Sequence, residues 1–309
     1  MVFLLVFIGL LLLVLGGKWL MKSSVALSLN LNISRIVIGM TVVSFATSSP
    51  ELIVSIQAAI SGYSNIAIGN TIGSNIANIG FVLPLVLLIT PIFVKDSFRR
   101  TDWPMMIFST LIFALMISYD NKLSRLEGCF LFLLLVFFLY YLLKKKYTKN
   151  YDSQSFERMT NFKIVVYLFL GSFCLWLGSE LLIDGAVKLG SIFGVSDRII
   201  SITVVAFGTS VPELATSLMA VIKNEKAISL GNLIGSNIFN ILAVLGITSI
   251  IQPIDVTEIS LINKDIFWMI GISLMIFPLV ILKPKMKLER NSGLFLLFIY
   301  IIFIYTLLK

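Results

Sequence analysis

The feature that most constrains this chain is a series of long apolar runs separated by short polar stretches. A helix needs roughly 20 mostly apolar residues to cross the hydrocarbon layer of a membrane. Ten runs meet this length, at about residues 2–21, 34–60, 66–91, 103–119, 124–143, 162–188, 197–222, 227–252, 265–282 and 293–308. We therefore predict an all-α integral membrane protein with ten transmembrane helices.

Composition argues against the main alternatives to a membrane protein. Of the 309 residues, 58% are apolar and 13% are charged, whereas a soluble chain averages about 25% charged residues. A soluble enzyme, a nucleic-acid binder and a disordered chain are therefore excluded. The sequence contains no histidine, and Cys129 and Cys174 both lie in apolar runs, so neither imidazole metal ligands nor a disulfide framework is expected. We expect neither enzymatic activity nor a bound cofactor.

The positions of lysine and arginine predict the orientation of the spans. The stretches after odd-numbered spans contain 17 of these residues, the opposite side contains 6, and Lys18 lies inside the first span. Because positive charge marks the cytoplasmic side, the polar linker at 144–161 should be cytoplasmic. Both termini should then be extracytoplasmic, in a multi-pass protein of the plasma membrane.

The two halves of the chain contain an internal duplication. The segment TVVSFATSSPELIVSIQAAI, from Thr41, is matched by TVVAFGTSVPELATSLMAVI, from Thr203. Without any gap, the same alignment matches GNTIGSNIANI from Gly69 with GNLIGSNIFNI from Gly231. This constant shift, which pairs Thr41 with Thr203, is the repeat offset. Under it, 22 of the 39 positions from 41 to 79 are identical.

The duplication predicts two repeats of five helices. The first repeat spans residues 1–143 with its motif at 39–80, and the second spans 162–309 with its motif at 201–242. Equivalent segments are five spans apart, and five is odd, so the copies should cross the membrane in opposite directions. Inverted repeats are typical of secondary transporters, whose substrate site lies at the repeat interface near the bilayer midplane.

Each copy carries a glutamate, Glu51 or Glu213, inside an apolar span. A lone carboxylate in hydrocarbon is costly, so such residues face the bundle interior and mark ion pathways. Each glutamate follows a proline, which removes a backbone donor and frees nearby carbonyl groups. These carbonyls belong to residues near Ser44, Ala46 and Thr47, and near Ala206, Gly208 and Thr209. The alternatives are a protonated glutamate bonded to a neighbouring helix, and a proline kink without a ligand role.

The second shared motif, GN-x-x-GSN-x-x-N, provides uncharged oxygen donors. Residues four apart share one helical face, and this favours Ser74, Asn78, Ser236 and Asn240 as ion ligands. The remaining amides, Asn70, Asn75, Asn232 and Asn237, are alternatively partners of backbone freed at the breaks. The glycines Gly69, Gly73, Gly231 and Gly235 are expected to allow close helix packing.

A ligand set made only of oxygen atoms suits hard cations. Ca²⁺ accepts about 6–8 oxygen ligands in irregular geometry, and two ionised glutamates neutralise one such ion. The same oxygens, divided among monovalent sites, could hold Na⁺. Competition between the two ions for shared carboxylates is a physical basis for antiport.

The two copies closely resemble the alpha repeats of the sodium/calcium exchanger family, within the cation/calcium exchanger superfamily. The phrases ATSSPEL and GTSVPEL, each followed by GN-x-x-GSN, are specific to that family. The short central linker resembles the compact prokaryotic form, which lacks large regulatory domains. Two positions depart from the family pattern: Ala46 stands where glycine is usual, and Asn240 where potassium-dependent relatives carry aspartate.

The resemblance implies a set of ion ligands. Glu51 and Glu213 would bind both ions, with the carbonyls of Thr47 and Thr209 completing the Ca²⁺ site; Ser48, Ser74 and the Ala206 carbonyl, and Ser210, Ser236 and the Ser44 carbonyl, would join Na⁺ sites; and Asn78 and Asn240 would be central.

The function implied is electrogenic exchange of Na⁺ for Ca²⁺ by alternating access, normally exporting Ca²⁺. The partners are these ions and the lipid bilayer, without nucleic acid, and a monomer should suffice. A proton-coupled or a potassium-dependent antiporter is the alternative, and a channel is the alternative of another class. Because asparagine occupies both 78 and 240, we expect transport to be independent of K⁺.

Overall fold

The computed structural model describes residues 2–144, 159–192, 208, 210–282 and 286–307. Most of the predicted linker, together with Ala206 and Thr209, lies outside the described residues. The first half contains helices α1 (Val2–Leu31), α2 (Arg35–Ile38), α3 (Ser44–Thr47), α4 (Ser49–Ile60), α5 (Ser64–Ala77), α6 (Leu83–Ile89), α7 (Trp103–Asp120) and α8 (Arg125–Lys144), with strands β1 (Ile92–Phe93) and β2 (Lys122–Leu123). The second half contains α9 (Asn161–Ile192), α10 (Val211–Ile222), α11 (Lys226–Phe239), α12 (Gly246–Ile251), α13 (Ile266–Ile281) and α14 (Arg290–Leu307), with strands β3 (Ile254–Asp255) and β4 (Lys287–Leu288).

Several helices are joined end to end by π-helical turns, in which the backbone hydrogen bond reaches one residue further than in an α-helix. These turns are Gly39–Val43, Asn78–Val82, Phe98–Asp102, Asn240–Leu245 and Leu261–Asp265. The joined helices form continuous spans such as Ser64–Ile89 and Lys226–Ile251.

The described residues contain eight helices that are long and apolar enough to cross a membrane. A ninth span results if the bent pair Arg35–Thr47 and Ser49–Ile60 is counted as one. The prediction of an all-helical, multi-pass chain is therefore confirmed. The remaining predicted span, 197–222, lies partly outside the described residues, and its described part includes α10.

The chain forms two compact units, and each draws on both halves of the sequence. Unit 1 comprises Met1–Thr47 and Leu142–Asn232, and unit 2 comprises Ser48–Tyr141 and Leu233–Lys309. The predicted division into repeats at 1–143 and 162–309 concerns the duplication of the chain, and it stays a prediction.

In unit 1, the long helices α1 and α9 pack closely through glycines. A Cβ atom added at Gly16 would lie 2.8 Å from the carbonyl oxygen of Gly171, and one added at Gly178 would lie 2.9 Å from that of Gly9. Such short distances mean that the two backbones are in direct contact. Around this pair, Leu20, Val43, Leu175, Val211 and Ile228 belong to one buried apolar cluster.

In unit 2, the four short strands pair between the two halves of the sequence. β1 pairs with β4 and β2 pairs with β3, both antiparallel. The repeat offset relates β1 to β3, and nearly the same offset relates β2 to β4. The duplication therefore turns the pair of β1 with β4 into the pair of β3 with β2. The side chain of Arg290 likewise donates to the carbonyl of Leu88, and that of Arg125 to the carbonyl of Ile251.

Candidate ion-binding site

The serines of the two Thr-Ser-x-Pro segments have nearly the same backbone geometry. Ser48 (φ −87°, ψ 3°) precedes α4, and Ser210 (φ −88°, ψ 2°) precedes α10. A proline within the first two positions of the helix follows each serine, where its missing N–H is tolerated. The pair of helices around Ser48 is bent by 43°, which confirms the predicted break in the first copy.

Glu51 and Glu213 each lie in the first turn of the helix after the break, and each is 0% exposed. The N-terminus of a helix carries a partial positive charge, which favours an ionised carboxylate. Burial opposes ionisation because it removes hydrating water. A cation bound to such a carboxylate therefore stabilises its ionised form in place of the lost water.

The described site residues divide between the units. Unit 1 contains Ser44, Thr47, Ser210 and Glu213, and unit 2 contains Ser48, Glu51, Ser74, Asn78, Ser236 and Asn240. All of them are buried.

In unit 1, Asn232 ties down the start of the first break. The hydroxyl of Ser44 donates to the carbonyl oxygen of Asn232 at 2.9 Å, and the hydroxyl of Thr47 donates to Oδ1 of Asn232 at 3.2 Å. Its own Nδ2 then donates to the hydroxyl of Ser217 at 3.3 Å. The two hydroxyls are thus engaged within the protein, and the hydroxyl of Thr47 also donates to the carbonyl oxygen of Ser44 at 3.4 Å. The carbonyl roles expected of Ser44 and Thr47 stay predictions.

In unit 2, Asn70 has the equivalent role beside Glu51. Its Nδ2 donates to the hydroxyl of Ser55 at 3.1 Å and to the carbonyl oxygen of Glu51 at 3.3 Å. Ser55 and Ser217 are themselves related by the repeat offset, so both copies fasten the glutamate helix to the facing helix in the same way. The Glu51 carbonyl lies within α4 and is not among the carbonyls that Pro50 frees, so the role of Asn70 as a partner of freed backbone stays a prediction.

Four asparagines of unit 2 form a hydrogen-bond network. The repeat offset pairs Asn75 with Asn237 and Asn78 with Asn240, so the two halves of the network are equivalent. Asn75 and Asn237 each donate to the other's backbone carbonyl, at 3.2 and 3.1 Å. Nδ2 of Asn78 donates to Oδ1 of Asn237, and Nδ2 of Asn240 donates to Oδ1 of Asn75, both at 3.1 Å. Asn75 and Asn237 therefore orient the amides of the other two.

This network leaves Oδ1 of Asn78 and Oδ1 of Asn240 buried and without a hydrogen-bond partner among the described residues. The hydroxyl of Ser210 is likewise buried and has no hydrogen-bond partner among the described residues. An unsatisfied buried polar atom costs about 1–3 kcal/mol, and a cation would satisfy these oxygens. Helix α4, which carries Glu51, packs against both α5 and the Asn240–Leu245 turn.

Both π-helical turns at this place begin at an asparagine of the network, Asn78 and Asn240. Such turns interrupt the regular backbone bonding of a helix and occur frequently at functional sites. Sequence reasoning missed these turns, and it missed Ser55 and Ser217 as partners of the motif amides. The repeat offset, which pairs these two serines, was the signal available for finding them.

The prediction of close packing at the motif glycines is confirmed at Gly231, and it is not tested at Gly69 and Gly73 of the first copy. A Cβ atom at Gly231 would lie 2.5 Å from the carbonyl oxygen of Ile36, so two backbones meet there. At Gly73 the same atom would have no neighbour within 4 Å among the described residues, and at Gly69 the nearest is a Leu261 methyl at 3.8 Å. The equivalents of Ile36 and of the other α2 residues lie outside the described residues, so close packing in the first copy stays a prediction.

Comparison with known proteins agrees with this arrangement. The family described as "Sodium/calcium exchanger protein" matches residues 1–144 and 163–309. The "Sodium/calcium exchanger MaX1" of Methanosarcina acetivorans is 32% identical, over 99% of this chain and 98% of its own length. The "Inner membrane protein YrbG" of Escherichia coli is 33% identical, over 94% and 92%. A structure of the sodium-calcium exchanger NCX_Mj, soaked with Na⁺ and Ca²⁺, superimposes with a TM-score of 0.84 at 32% identity, covering 98% of this chain and 97% of that one.

The fold and the repeated oxygen-rich breaks define a multi-pass membrane transporter of the cation/calcium antiporter class. Within that class, the chain belongs to the sodium/calcium exchanger family. It is a compact member, and it is similar to prokaryotic relatives over nearly its whole length.

Proposed function

We propose that this protein exchanges Na⁺ for Ca²⁺ across the plasma membrane by alternating access, with Ca²⁺ export as its normal direction. Glu51 and Glu213 act as the carboxylate ligands of both ions. The carbonyls of Thr47 and Thr209 complete the Ca²⁺ ligands. Ser48, Ser74 and the Ala206 carbonyl, and Ser210, Ser236 and the Ser44 carbonyl, serve Na⁺, with Asn78 and Asn240 in the central position.

The observation that carries this proposal is the pair of fully buried glutamates, each in the first turn of a helix that begins after a serine of matching φ and ψ. The asparagine network adds two amide oxygens that are held ready by their neighbours. Carboxylate and neutral oxygens in this proportion suit a hard cation that tolerates irregular geometry.

We further propose that the two five-helix repeats are inverted. The strand pairs support this. The repeat offset relates the pairing of β1 with β4 to the pairing of β3 with β2, and such reciprocal contacts imply an approximate two-fold axis. A repeat with an odd number of spans then reverses its direction across the membrane. The strands β1 and β4 follow predicted spans three and nine, and β2 and β3 follow spans four and eight, so each pair joins stretches assigned to the same side.

The coupling ion is Na⁺, without a requirement for K⁺. A carboxylate at 240 would help to neutralise an additional cation, whereas the amide of Asn240 offers oxygen without charge. Nδ2 of Asn240 donates to Oδ1 of Asn75, an acceptor that would repel a carboxylate oxygen. An accompanying K⁺ would therefore be poorly compensated in a low-dielectric site.

The proposal is tested by ⁴⁵Ca²⁺ uptake into proteoliposomes under outward gradients of Na⁺, K⁺ or H⁺, each imposed alone. We expect uptake with the Na⁺ gradient, unchanged when K⁺ is replaced by choline at fixed voltage. Uptake driven by the pH gradient instead would favour the proton-coupled alternative. Loss of exchange in choline, restored by K⁺, would favour the potassium-dependent one.

Transport should also respond to membrane potential. The two glutamates leave the Ca²⁺-loaded site close to neutral, whereas loading more than two Na⁺ adds net positive charge. Setting the potential with valinomycin and K⁺ should therefore change the rate of Na⁺-driven uptake. A rate indifferent to voltage would contradict the electrogenic part of the proposal.

A further inference from the structure

The second break has a contact that its equivalent in the first copy lacks. The hydroxyl of Ser179, in the middle of α9, donates to the carbonyl oxygen of Gly208 at 2.8 Å. Ser179 is 5% exposed, and both residues belong to unit 1. The bond joins positions 29 residues apart in the sequence, so it ties one helix to the segment that leads into another.

The carbonyl that Ser179 contacts is the one that Pro212 cannot bond. In a continuous helix, the N–H of residue 212 would donate to the carbonyl four residues earlier, which is that of Gly208. Proline has no N–H, so this buried carbonyl needs another donor. The hydroxyl of Ser179 supplies it.

A second contact holds the same peptide against α9. A Cβ atom at Gly208 would overlap the side chain of Ile183 at Cδ1 and Cγ1. Ser179 and Ile183 are four residues apart and therefore lie on one face of α9. Gly208 is thus confined by a hydroxyl on its carbonyl and by an aliphatic side chain where its own side chain would be.

The first copy has no counterpart to this hydroxyl. Under the repeat offset, Ser179 corresponds to Gly17, and Gly208 corresponds to Ala46. A glycine cannot donate from a side chain, and alanine carries the Cβ that Gly208 cannot accommodate. The two breaks therefore share their ligand residues but differ in how their backbone is held.

From these contacts we infer that Ser179 is a positioning residue for the ion ligands of the second copy. By fixing the carbonyl of Gly208, it restricts the backbone that leads into Ser210 and Glu213. Ser179 binds no ion itself. The inference rests on the proposed function, because it assigns the affinity of the Glu213 side of the site partly to a hydroxyl on α9.

The chain offers a matched control on the same helix. Ser172 donates its hydroxyl to the carbonyl of Leu168 at 2.8 Å, an ordinary bond within α9. Ser172→Ala removes a hydroxyl from the same helix without touching the break. We expect Ser179→Ala to weaken equilibrium ⁴⁵Ca²⁺ binding by the purified protein roughly five- to tenfold, the factor that one net hydrogen bond provides. Ser172→Ala should change binding less than twofold.

A second pair of variants separates the hydroxyl from packing. Ser179→Thr and Ser179→Val have the same shape, but only threonine keeps the donor. We expect the threonine variant to bind Ca²⁺ like the wild type and the valine variant to resemble Ser179→Ala. Because these two variants are compared with each other, the test remains decisive even if Ser179→Ala does not fold.

Equal Ca²⁺ affinity of Ser179→Ala and Ser172→Ala, or of the threonine and valine variants, would overturn the inference. If the variants give that result while the wild-type protein still exchanges Na⁺ for Ca²⁺, the proposed function is unaffected. If the Ser179 variants bind Ca²⁺ more weakly than the wild type, as expected, but the wild type shows no exchange, only the proposed antiport is contradicted.

Discussion

The two copies of the motif share their chemistry and differ in their support. In both copies, a serine with nearly the same φ and ψ precedes the glutamate helix. In both, an amide of the facing helix fastens that helix through a serine. Around the second copy, however, a Cβ atom at Gly231 would lie 2.5 Å from the carbonyl oxygen of Ile36 in α2, whereas at its equivalent, Gly69, the nearest atom of the described residues is a Leu261 methyl at 3.8 Å.

This difference shows that a duplicated segment can keep its ligands while its surroundings diverge. The atoms that would contact an ion must match a charge and a radius, so both copies keep the same oxygen types. The supporting residues need only hold the backbone in place, and a close backbone contact or a hydroxyl from α9 can each do this. Variants placed at equivalent positions can therefore separate the two roles.

The largest expected effect is equal in the two copies. Glu51→Gln and Glu213→Gln should each reduce Na⁺-driven ⁴⁵Ca²⁺ uptake at least about a hundredfold, because one remaining carboxylate cannot neutralise a desolvated divalent ion. Glu127→Gln, at a helix cap outside the site, is the control and should keep its uptake. Substantial exchange in either site variant would remove that glutamate from the ligand set.

The next effect should be confined to the second copy. Gly231→Ala places a methyl group 2.5 Å from the carbonyl oxygen of Ile36, and overpacking of this kind costs about 1–3 kcal/mol. Gly69→Ala, at the equivalent position, meets only a Leu261 methyl at 3.8 Å among the described residues, and alanine gains about 1 kcal/mol of helix propensity over glycine. Thermal unfolding of the purified protein should therefore show a lower Tm for the first variant and an equal or higher Tm for the second. Equal losses in both would mean that the two glycines are packed alike.

A smaller effect should again be symmetric, because it concerns the network that orients the ligand amides. Asn75→Ala removes the acceptor for Asn240, and Asn237→Ala removes the acceptor for Asn78. Each should weaken Ca²⁺ binding roughly tenfold, since a buried amide loses its partner. Asn65→Ala, which removes an exposed contact with Thr257, should leave binding unchanged. A loss in only one of the two network variants would break the symmetry proposed for the site.

The smallest expected effect lies in unit 1, where Glu225 is paired with Arg35 at 3.6 Å. Burial raises the pKa of Glu225 above its ordinary value of 4.5, and Arg35 opposes this in part. The folded protein then holds the proton more tightly than the unfolded chain, so stability falls as pH rises above 4.5 toward the raised pKa. Glu225→Gln removes this dependence. Its Tm relative to wild type should increase from about pH 4 to about pH 7, by an amount equivalent to at most about 1 kcal/mol. A Tm difference that is flat with pH, or that decreases, would contradict the assignment.

Much of the site could be predicted from the sequence because its signals are local. A proline beside a glutamate inside an apolar span predicts a break with a buried carboxylate, and both Glu51 and Glu213 are found so placed. Residues four apart on a helix predict a shared face, and Ser74 and Asn78 are both buried. Close packing of the motif glycines is found at Gly231 and stays a prediction at Gly69 and Gly73, because packing depends on which helix lies opposite.

The sequence by itself determined that the chain is an all-helical membrane protein, that it is duplicated, and which residue types could bind an ion. Each of these follows from composition, from run length or from a pattern that recurs in the two halves. The tertiary structure alone decided how the amides of the asparagine network pair, and therefore which amide oxygens have no hydrogen-bond partner among the described residues. The side-chain amides of Asn75 and Asn237 donate to each other's backbone carbonyls. Oδ1 of Asn78 and Oδ1 of Asn240 have no hydrogen-bond partner among the described residues. The partners in that network lie in opposite halves of the chain. Helical spacing favoured Asn78 and Asn240 as ligands, but nothing local in the sequence indicates which asparagine of the other half each amide contacts.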